Sequence, residues 1–347
     1  MKKVRTKKLS IADKFKYKNN VYKMLFSNSG PGKQFVFILR FPVSYKHNQL
    51  LSYRVEFTSF FDWMGQIREY SVTPIIQSIL RLTRKGNWGL ATNSVKLKVF
   101  DFFSEDDIVE GRLWLERISG HDNIYHLSYD WLRFLGKNRY ERVASSSIVI
   151  TCVKIIGHGS ASIIKPPPFL DKFFRKMLPV AKYKGGLLEY PTRFNNLNFG
   201  ERIKSFADCP KLIFKSSYQS TLDNSNLIGN IYFSNYAKWI NSTKDLFLFR
   251  NFPKILYRSE IDAEFCTVDF SISHKQEAMP FDEIRVEMYA VEVYKKAIFL
   301  KYEVFKDDER GHPVLLASAK QNIAFFDRNI NKTKLIDIPA EMLAILT

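Results

Sequence analysis

Three cysteines, Cys152, Cys209 and Cys266, are all that the 347 residues contain, and no two of them form a Cys-x-x-Cys pair. That scarcity argues against a disulfide framework or a structural zinc site and for a reducing compartment. No apolar run approaches the ~20 residues needed to cross a bilayer. The basic start, MKKVRTKKLSIADKFKYKNN, is not followed by the apolar core of a signal peptide. The expectation is a soluble, cytoplasmic protein. No Gly-x-Ser-x-Gly is present, so a Ser-His-Asp hydrolase has no support. The six histidines show no spacing of two or four residues on one helix. Neither a metal nor another cofactor is expected.

Acidic residues are also in short supply. Fifty-three Lys and Arg face 35 Asp and Glu, a formal charge of +18. A field of that sign gathers anions such as nucleic acid, an acidic carrier protein, a phosphorylated cofactor or an anionic membrane face. The basic residues are spread along strands, turns and both termini without a recognised nucleic-acid motif, so no specific nucleic acid is expected as a partner. Aromatic side chains are plentiful. Thirty Phe, 17 Tyr and 5 Trp make 15% of the chain, which leans toward sheet-rich structure. With 46% hydrophobic and 25% charged residues, the mix is that of a packed globular protein rather than a disordered one. At about 150 residues per domain, the length fits two domains.

The chain repeats itself. FTSFFDWMGQIREYSV, from Phe57, and FSNYAKWINSTKDLFL, from Phe233, align when Trp63 is set on Trp239, an offset of 176. Phe57 then falls on Phe233, Glu69 on Asp245, and Asp107-Ile108 on Glu283-Ile284. After a hairpin the offset becomes 173: Leu127 to Arg133 lies on Leu300 to Lys306, and Ala144-Ser145 on Ala317-Ser318. A single change of offset, in a predicted turn, is what divergence after duplication produces, because loops tolerate insertions.

Each copy has the same order of elements: an apolar extended stretch, a helix of about 20 residues around the tryptophan, then four strand-like runs. In SVKLKVF, Val95, Leu97 and Val99 alternate with lysines, and in IRVEMYA, Ile284, Val286, Met288 and Ala290 alternate with larger or charged residues. That period marks a sheet with one buried face. The helix is apolar enough to lie against it. The resulting division is a basic segment over 1–30, a first domain over 31–156, a connecting segment over 157–210 and a second domain over 211–347. The connector carries Pro166-Pro167-Pro168, Gly185-Gly186 and an amphipathic FLDKFFRKML stretch.

A helix wrapped by a long antiparallel sheet is the layout of a hotdog domain, and one stretch sharpens the likeness. NLIGNIYFSNYAKW, Asn226 to Trp239, resembles the motif of hotdog thioesterases, especially those of enediyne and related polyketide synthases. Asn226, Gly229, Asn230, Tyr232, Phe233, Asn235, Tyr236 and Trp239 match. The family's downstream Gly-x-x-Arg-Glu is missing here, where Asn241 and Lys244 stand. Copy one is complementary: it keeps Trp63, Gly65, Arg68 and Glu69, but Leu50 stands where Asn226 stands in copy two. The resemblance implies an α+β double hotdog whose two copies pair as a hotdog homodimer would. It implies an acyl-thioester hydrolase acting on an acyl-carrier protein or coenzyme A thioester in polyketide or fatty-acid-like biosynthesis, and it allows a further homodimer of double hotdogs.

The chemistry follows from the residue types. A thioester carbonyl needs a polarising group, and backbone N–H groups at a helix N-terminus suit that task. The Gly229-Asn230 turn would supply them. Asn226 is an amide where many hotdog thioesterases carry a carboxylate, so it could only orient water or hydrogen-bond the carbonyl. The catalytic candidates are Asn226, Gly229, Tyr236 and Arg68, with Asn230, Tyr232 and Lys244 on the substrate. Each also has a plain alternative. Asn and Gly before a helix serve as turn residues, tyrosines four apart serve as core, and Arg68-Glu69 and Lys244-Asp245 serve as solvated helix charges. Three other functions compete: a non-catalytic acyl- or carrier-binding module, a double-hotdog dehydratase and an acyltransferase/decarboxylase. Dehydration needs an acid–base pair, and copy one lacks the histidine motif of that family, His158 being followed directly by Gly159. The remaining expectation is that one composite site works, built from Asn226 of copy two and Arg68 of copy one, while Lys244 belongs to a degenerate site near Leu50.

Overall fold

The computed structural model describes residues 22–26, 35–44, 54–85, 88–120, 123–137, 139–157, 160–177, 192–194, 196–256, 262–328 and 334–347. Leu50, His158, Gly159 and the Gly185-Gly186 pair lie outside them. In chain order the elements are β1 (Tyr22–Phe26), β2 (Phe35–Pro42), α1 (Thr58–Ser71), α2 (Ile76–Lys85), β3 (Trp88–Val99), β4 (Ile108–Ser119), β5 (Ile124–Phe134), β6 (Tyr140–Gly157), β7 (Ser160–Ile163), α3 (Pro168–Met177), β8 (Arg202–Ser205), β9 (Lys211–Gln219), α4 (Phe233–Asn251), β10 (Ala263–His274), β11 (Glu283–Tyr294), β12 (Ala297–Asp307), β13 (Pro313–Asp327) and α5 (Ala340–Leu346). No helix among them is long and apolar enough to cross a membrane.

The strands form one antiparallel sheet in the order β1-β2-β4-β5-β6-β3-β10-β13-β12-β11-β8, with β9 also on β11 and β7 on β6. Read outward from the middle, β3-β6-β5-β4-β2 and β10-β13-β12-β11-β9 are the same series. The repeat is thus visible in the pairing. Trp131 faces Ala144 and the ladder slips just after it. Val304 faces Ala317 and slips at the same place, which is the offset of 173 read from the sequence. The two series meet where β3 pairs β10, from Ser94 opposite Ser273 to Lys98 opposite Asp269. Joining these edges removes two unpaired strand edges that would otherwise recruit other chains.

Both tryptophan helices lie against the sheet and against each other. Asp62 of α1 pairs with Lys238 of α4 at 2.9 Å, and Glu69, one turn and more further along α1, meets Tyr232, just before α4. Contacts that run up one helix and down the other make the pair antiparallel. Trp63, Trp131 and Tyr129 form the aromatic centre of the first copy, with ring centroids 5.8 and 5.9 Å apart. The two helices differ in length. α4 runs 19 residues, close to the length expected, but α1 stops after 14. Pro74 explains the break: it has no N–H to donate, and it disfavours the helical region for Thr73 before it. A single 3-10 turn, Thr73–Ile75, then leads into α2.

Candidate active site

The turn before α4 is built by its own side chains. Asn226 Oδ1 accepts the Ile228 N–H at 2.9 Å, and the Asn226 carbonyl accepts the Gly229 N–H at 3.0 Å. Gly229 holds φ +88°, a left-handed conformation that costs an L side chain ~1–2 kcal/mol. Its N–H is therefore spent on the turn, and it brings no polarising group to a ligand. The first turn of α4 offers such groups instead, since the N–H groups of Phe233 and Ser234 precede the intrahelical ladder. With Oδ1 committed, Asn226 keeps its amide N–H pair.

A cavity of about 40 Å³ opens beside this turn. Copy two lines it with Asn226, Asn230, Tyr232, Tyr236, His274 and Glu277; copy one brings Arg68 and the β3 residues Leu90 to Thr92. Five of the seven candidates, Asn226, Arg68, Tyr236, Asn230 and Tyr232, are gathered on one wall set. Gly229 stands outside in the turn. Lys244 is not part of the cavity. It is 2% exposed and pairs with Asp245 at 2.8 Å. Burial works to lower its pKa, but Asp245 and Glu56 outweigh burial and hold the ammonium above its usual range.

Two residues of the cavity were not singled out from the sequence. Glu277 lies past the end of β10. Burial raises its carboxyl pKa above the usual range, against a hydrogen bond from the Asn230 side chain. Its neighbour Ala278 is gripped on both sides, its N–H donating to Tyr236 Oη at 2.9 Å and its carbonyl accepting the Ile231 N–H at 3.0 Å. Tyr236 thus anchors the loop that carries Glu277. Burial keeps its phenol neutral. His274 packs edge-on to Tyr236, ring centroids 4.8 Å apart, and its Nε2 is buried without a partner. Burial pushes its pKa down to about 4, so the ring is neutral at pH 7. The Asn230 Oδ1 is likewise buried and unpaired. The repeat carried no signal for Glu277: Asp101 corresponds to Gln276, the two N–H groups donating to the equivalent Val143 and Leu316 carbonyls, and Phe102 stands at the place of Glu277. His274 carried none, because a lone buried imidazole needs no spacing rule.

A second, smaller cavity of about 10 Å³ is lined by Arg54, Glu56, Phe57, Phe60, Asp101, Cys266 and Thr267 among others. These positions correspond to Asn230, Tyr232, Phe233 and Tyr236 at the offset of 176, and to Gln276, Ala91 and Thr92 at the offset of 175 that the backbone pairing gives. It is the counterpart of the first, and it is filled. Arg54 Nη1 donates to Glu264 Oε1 at 2.8 Å, Nη2 donates to the Asp327 carbonyl at 2.8 Å, and the guanidinium stacks over Phe102.

Residues 221–346 match the model of the thioesterase-like superfamily. The matched residues are those of the second copy, from the turn before α4 to α5. Among solved structures, the chain is similar to a Lactobacillus plantarum protein described as a putative oleoyl thioesterase, at 10% identity, TM-score 0.59, over 86% of this chain and 98% of that one. The 12:0-ACP thioesterase from Umbellularia californica matches at 11% identity, TM-score 0.56, over 83% of this chain and 96% of the other. An acyl-ACP thioesterase from Bacteroides thetaiotaomicron matches at 13% identity, TM-score 0.50, over 83% and 97%. At such identities the likeness is one of fold, and it extends over nearly the whole of each relative. No curated protein matches the chain by sequence.

Proposed function

We propose that the chain is a double hotdog, with units over 31–156 and 211–347 paired as a pseudo-dimer, and that it hydrolyses an acyl thioester in the cavity between Arg68 and Asn226. The observation that carries this reading is the composition of that cavity: a guanidinium, two carboxamides, a helix N-terminus and a carboxylate of raised pKa face one small space. The Asn226 N–H pair and the first N–H groups of α4 polarise the thioester oxygen. Glu277, held by Asn230, takes a proton from water as the water oxygen bonds to the carbonyl carbon. Its raised pKa improves it as a base near neutrality. When the C–S bond breaks, Glu277 returns the proton to the leaving sulfur, giving a free acid and a free thiol. Arg68, always protonated, stabilises the negative charge that develops in between. The excess of Lys and Arg suits an acidic carrier protein or the phosphates of coenzyme A, and polyketide or fatty-acid-like biosynthesis in the cytoplasm is the setting proposed.

The test is release of free thiol from acyl-carrier-protein and acyl-coenzyme A thioesters by the purified protein. Wild type should exceed background, and Asn226→Ala should fall ~10²–10³-fold, the usual loss for one oxyanion donor, without unfolding. Equal rates in the two would remove Asn226 from the chemistry. A second reading, dehydration of a hydroxyacyl thioester, draws on His274, a neutral imidazole in the same cavity as Glu277. It would give an unsaturated acyl thioester and no thiol.

A further inference from the structure

We propose that Tyr232 is a positioning residue: by taking hold of Glu69 it keeps the guanidinium of the adjacent Arg68 free for an anion in the cavity, the oxyanion or departing thiolate of an acyl thioester. This rests on the hydrolytic reading for the nature of the anion, but the geometry stands without it. Tyr232 precedes α4 in extended conformation, φ −67° and ψ 134°, so its ring leaves the helix it introduces and crosses to α1. There its Oη donates to Glu69 Oε1 at 2.8 Å. The crossing passes over Gly65, where a Cβ would lie 2.0 Å from that hydroxyl. Only glycine leaves the seat open.

With Glu69 occupied, Arg68 has no carboxylate partner among the described residues. Its Nη1 donates to Thr92 Oγ1 at 3.2 Å, and its guanidinium lies 4.9 Å from the centre of the Phe233 ring. Both contacts orient the group without neutralising it. The other copy supplies the control. At the offset of 176, Arg68, Glu69, Gly65 and Tyr232 correspond to Lys244, Asp245, Asn241 and Glu56. There the cation has closed on its neighbour, Lys244 Nζ to Asp245 Oδ1 at 2.8 Å, and Asn241 donates to the same carboxylate at 2.9 Å. Adjacent cation and carboxylate therefore pair here, where the carboxylate is held within its own helix and not drawn across to the other copy. The equivalent of Thr92 is Thr267, each the last residue before the slip in its ladder, and its hydroxyl accepts from Gln321 at 2.8 Å instead of holding the cation. The two halves of the split motif, Gly65-x-x-Arg68-Glu69 in one copy and Tyr232 in the other, meet in this one contact.

The experiment is a crystal structure and thiol-release kinetics for Tyr232→Phe, Gly65→Ala and Tyr232→Phe/Glu69→Gln. In Tyr232→Phe the ring and its packing stay, so the expected change is a new Arg68–Glu69 ion pair within 4 Å. The kcat should drop about 10- to 100-fold, the scale of losing the placement of one catalytic group, with KM little changed. Gly65→Ala, which keeps the tyrosine but takes its seat, should give the same pairing. The double variant has no carboxylate to pair and should recover most of the kcat. Arg68 remaining on Thr92 in Tyr232→Phe would overturn the proposal, and so would a loss that Glu69→Gln fails to rescue. If wild type released no thiol, the hydrolytic reading would fall, and the Arg68–Glu69 distance in Tyr232→Phe would still decide this one.

Discussion

The cavity beside α4 and the one beside α1 occupy equivalent places in the repeat, yet one is lined by amides and the other by ions. Asn230 and Tyr232 of the first are replaced by Arg54 and Glu56 in the second. The first keeps two buried polar atoms without partners, Asn230 Oδ1 and His274 Nε2. In the second, Arg54 spans to Glu264 and Asp327 of the other copy. Unpaired buried polar groups are costly, and a fold tolerates them where a ligand can satisfy them. Once a duplicated chain has one such site, the other is free to exchange its ligand-facing groups for pairs that hold the halves together. The difference separates a place that waits for a ligand from one that has become structure.

The largest effect that would sharpen this contrast is on stability. Arg54→Ala leaves Glu264 buried without its cation, and breaking a buried pair in that way costs about 3–5 kcal/mol. Equilibrium denaturation should show that loss, with turnover per folded molecule unchanged. A variant that lost activity but kept its stability would break the assignment of this cavity as structural. The matched pair Arg68→Ala and Lys244→Ala comes next. Arg68→Ala should cut kcat about 10²–10³-fold with little change in melting temperature. Lys244→Ala should lower the melting temperature and spare kcat, and the reverse assignment would show that the working site had been placed in the wrong copy.

A third test uses pH. His274 has a folded-state pKa of about 4, below the ordinary value near 6.5. The unfolded chain binds the proton first as pH falls, so stability is full above pH 6.5 and declines toward pH 4, by at most about 3 kcal/mol from this group. Denaturation midpoints for wild type and His274→Gln should converge over that window. Parallel curves would mean that the imidazole is not sealed in the cavity wall. The smallest effect is expected at Gly229. Alanine there meets open space but must adopt φ +88°, a loss of ~1–2 kcal/mol. Since the Gly229 N–H serves the turn and not a ligand, kcat should be retained; a large loss of kcat with the turn intact would return this residue to the chemistry.

Much of the architecture was legible from residue order because it is written in short-range chemistry. Alternation in SVKLKVF and IRVEMYA gave strands, three- and four-residue spacing gave the helices, and the offset of 173 reappears in the ladders; between helix and hairpin the offset is 175 rather than 176, because Asp107 and Asp282, not Glu283, accept the equivalent Ser104 and Met279 N–H groups. The break of α1 was also there to be read at Pro74. The candidate site was legible in part: the motif fragments named Asn226, Asn230, Tyr232, Tyr236 and Arg68, and these line one cavity.

What the sequence determined by itself was the duplication, the order of elements and the division of one motif between two copies, since propensity, periodicity and turn chemistry act over a few residues. Only the tertiary structure decided that Tyr232 crosses to Glu69, 163 positions away, that the Gly229 N–H is consumed within its own turn, that Lys244 is buried against Asp245 outside the cavity of Asn226, and that Glu277 and His274 line the same cavity as Arg68. Those outcomes depend on which surfaces the joined β3 and β10 edges bring together, and contacts of that range are set by the packing of the whole sheet against both helices rather than by any local run of residues.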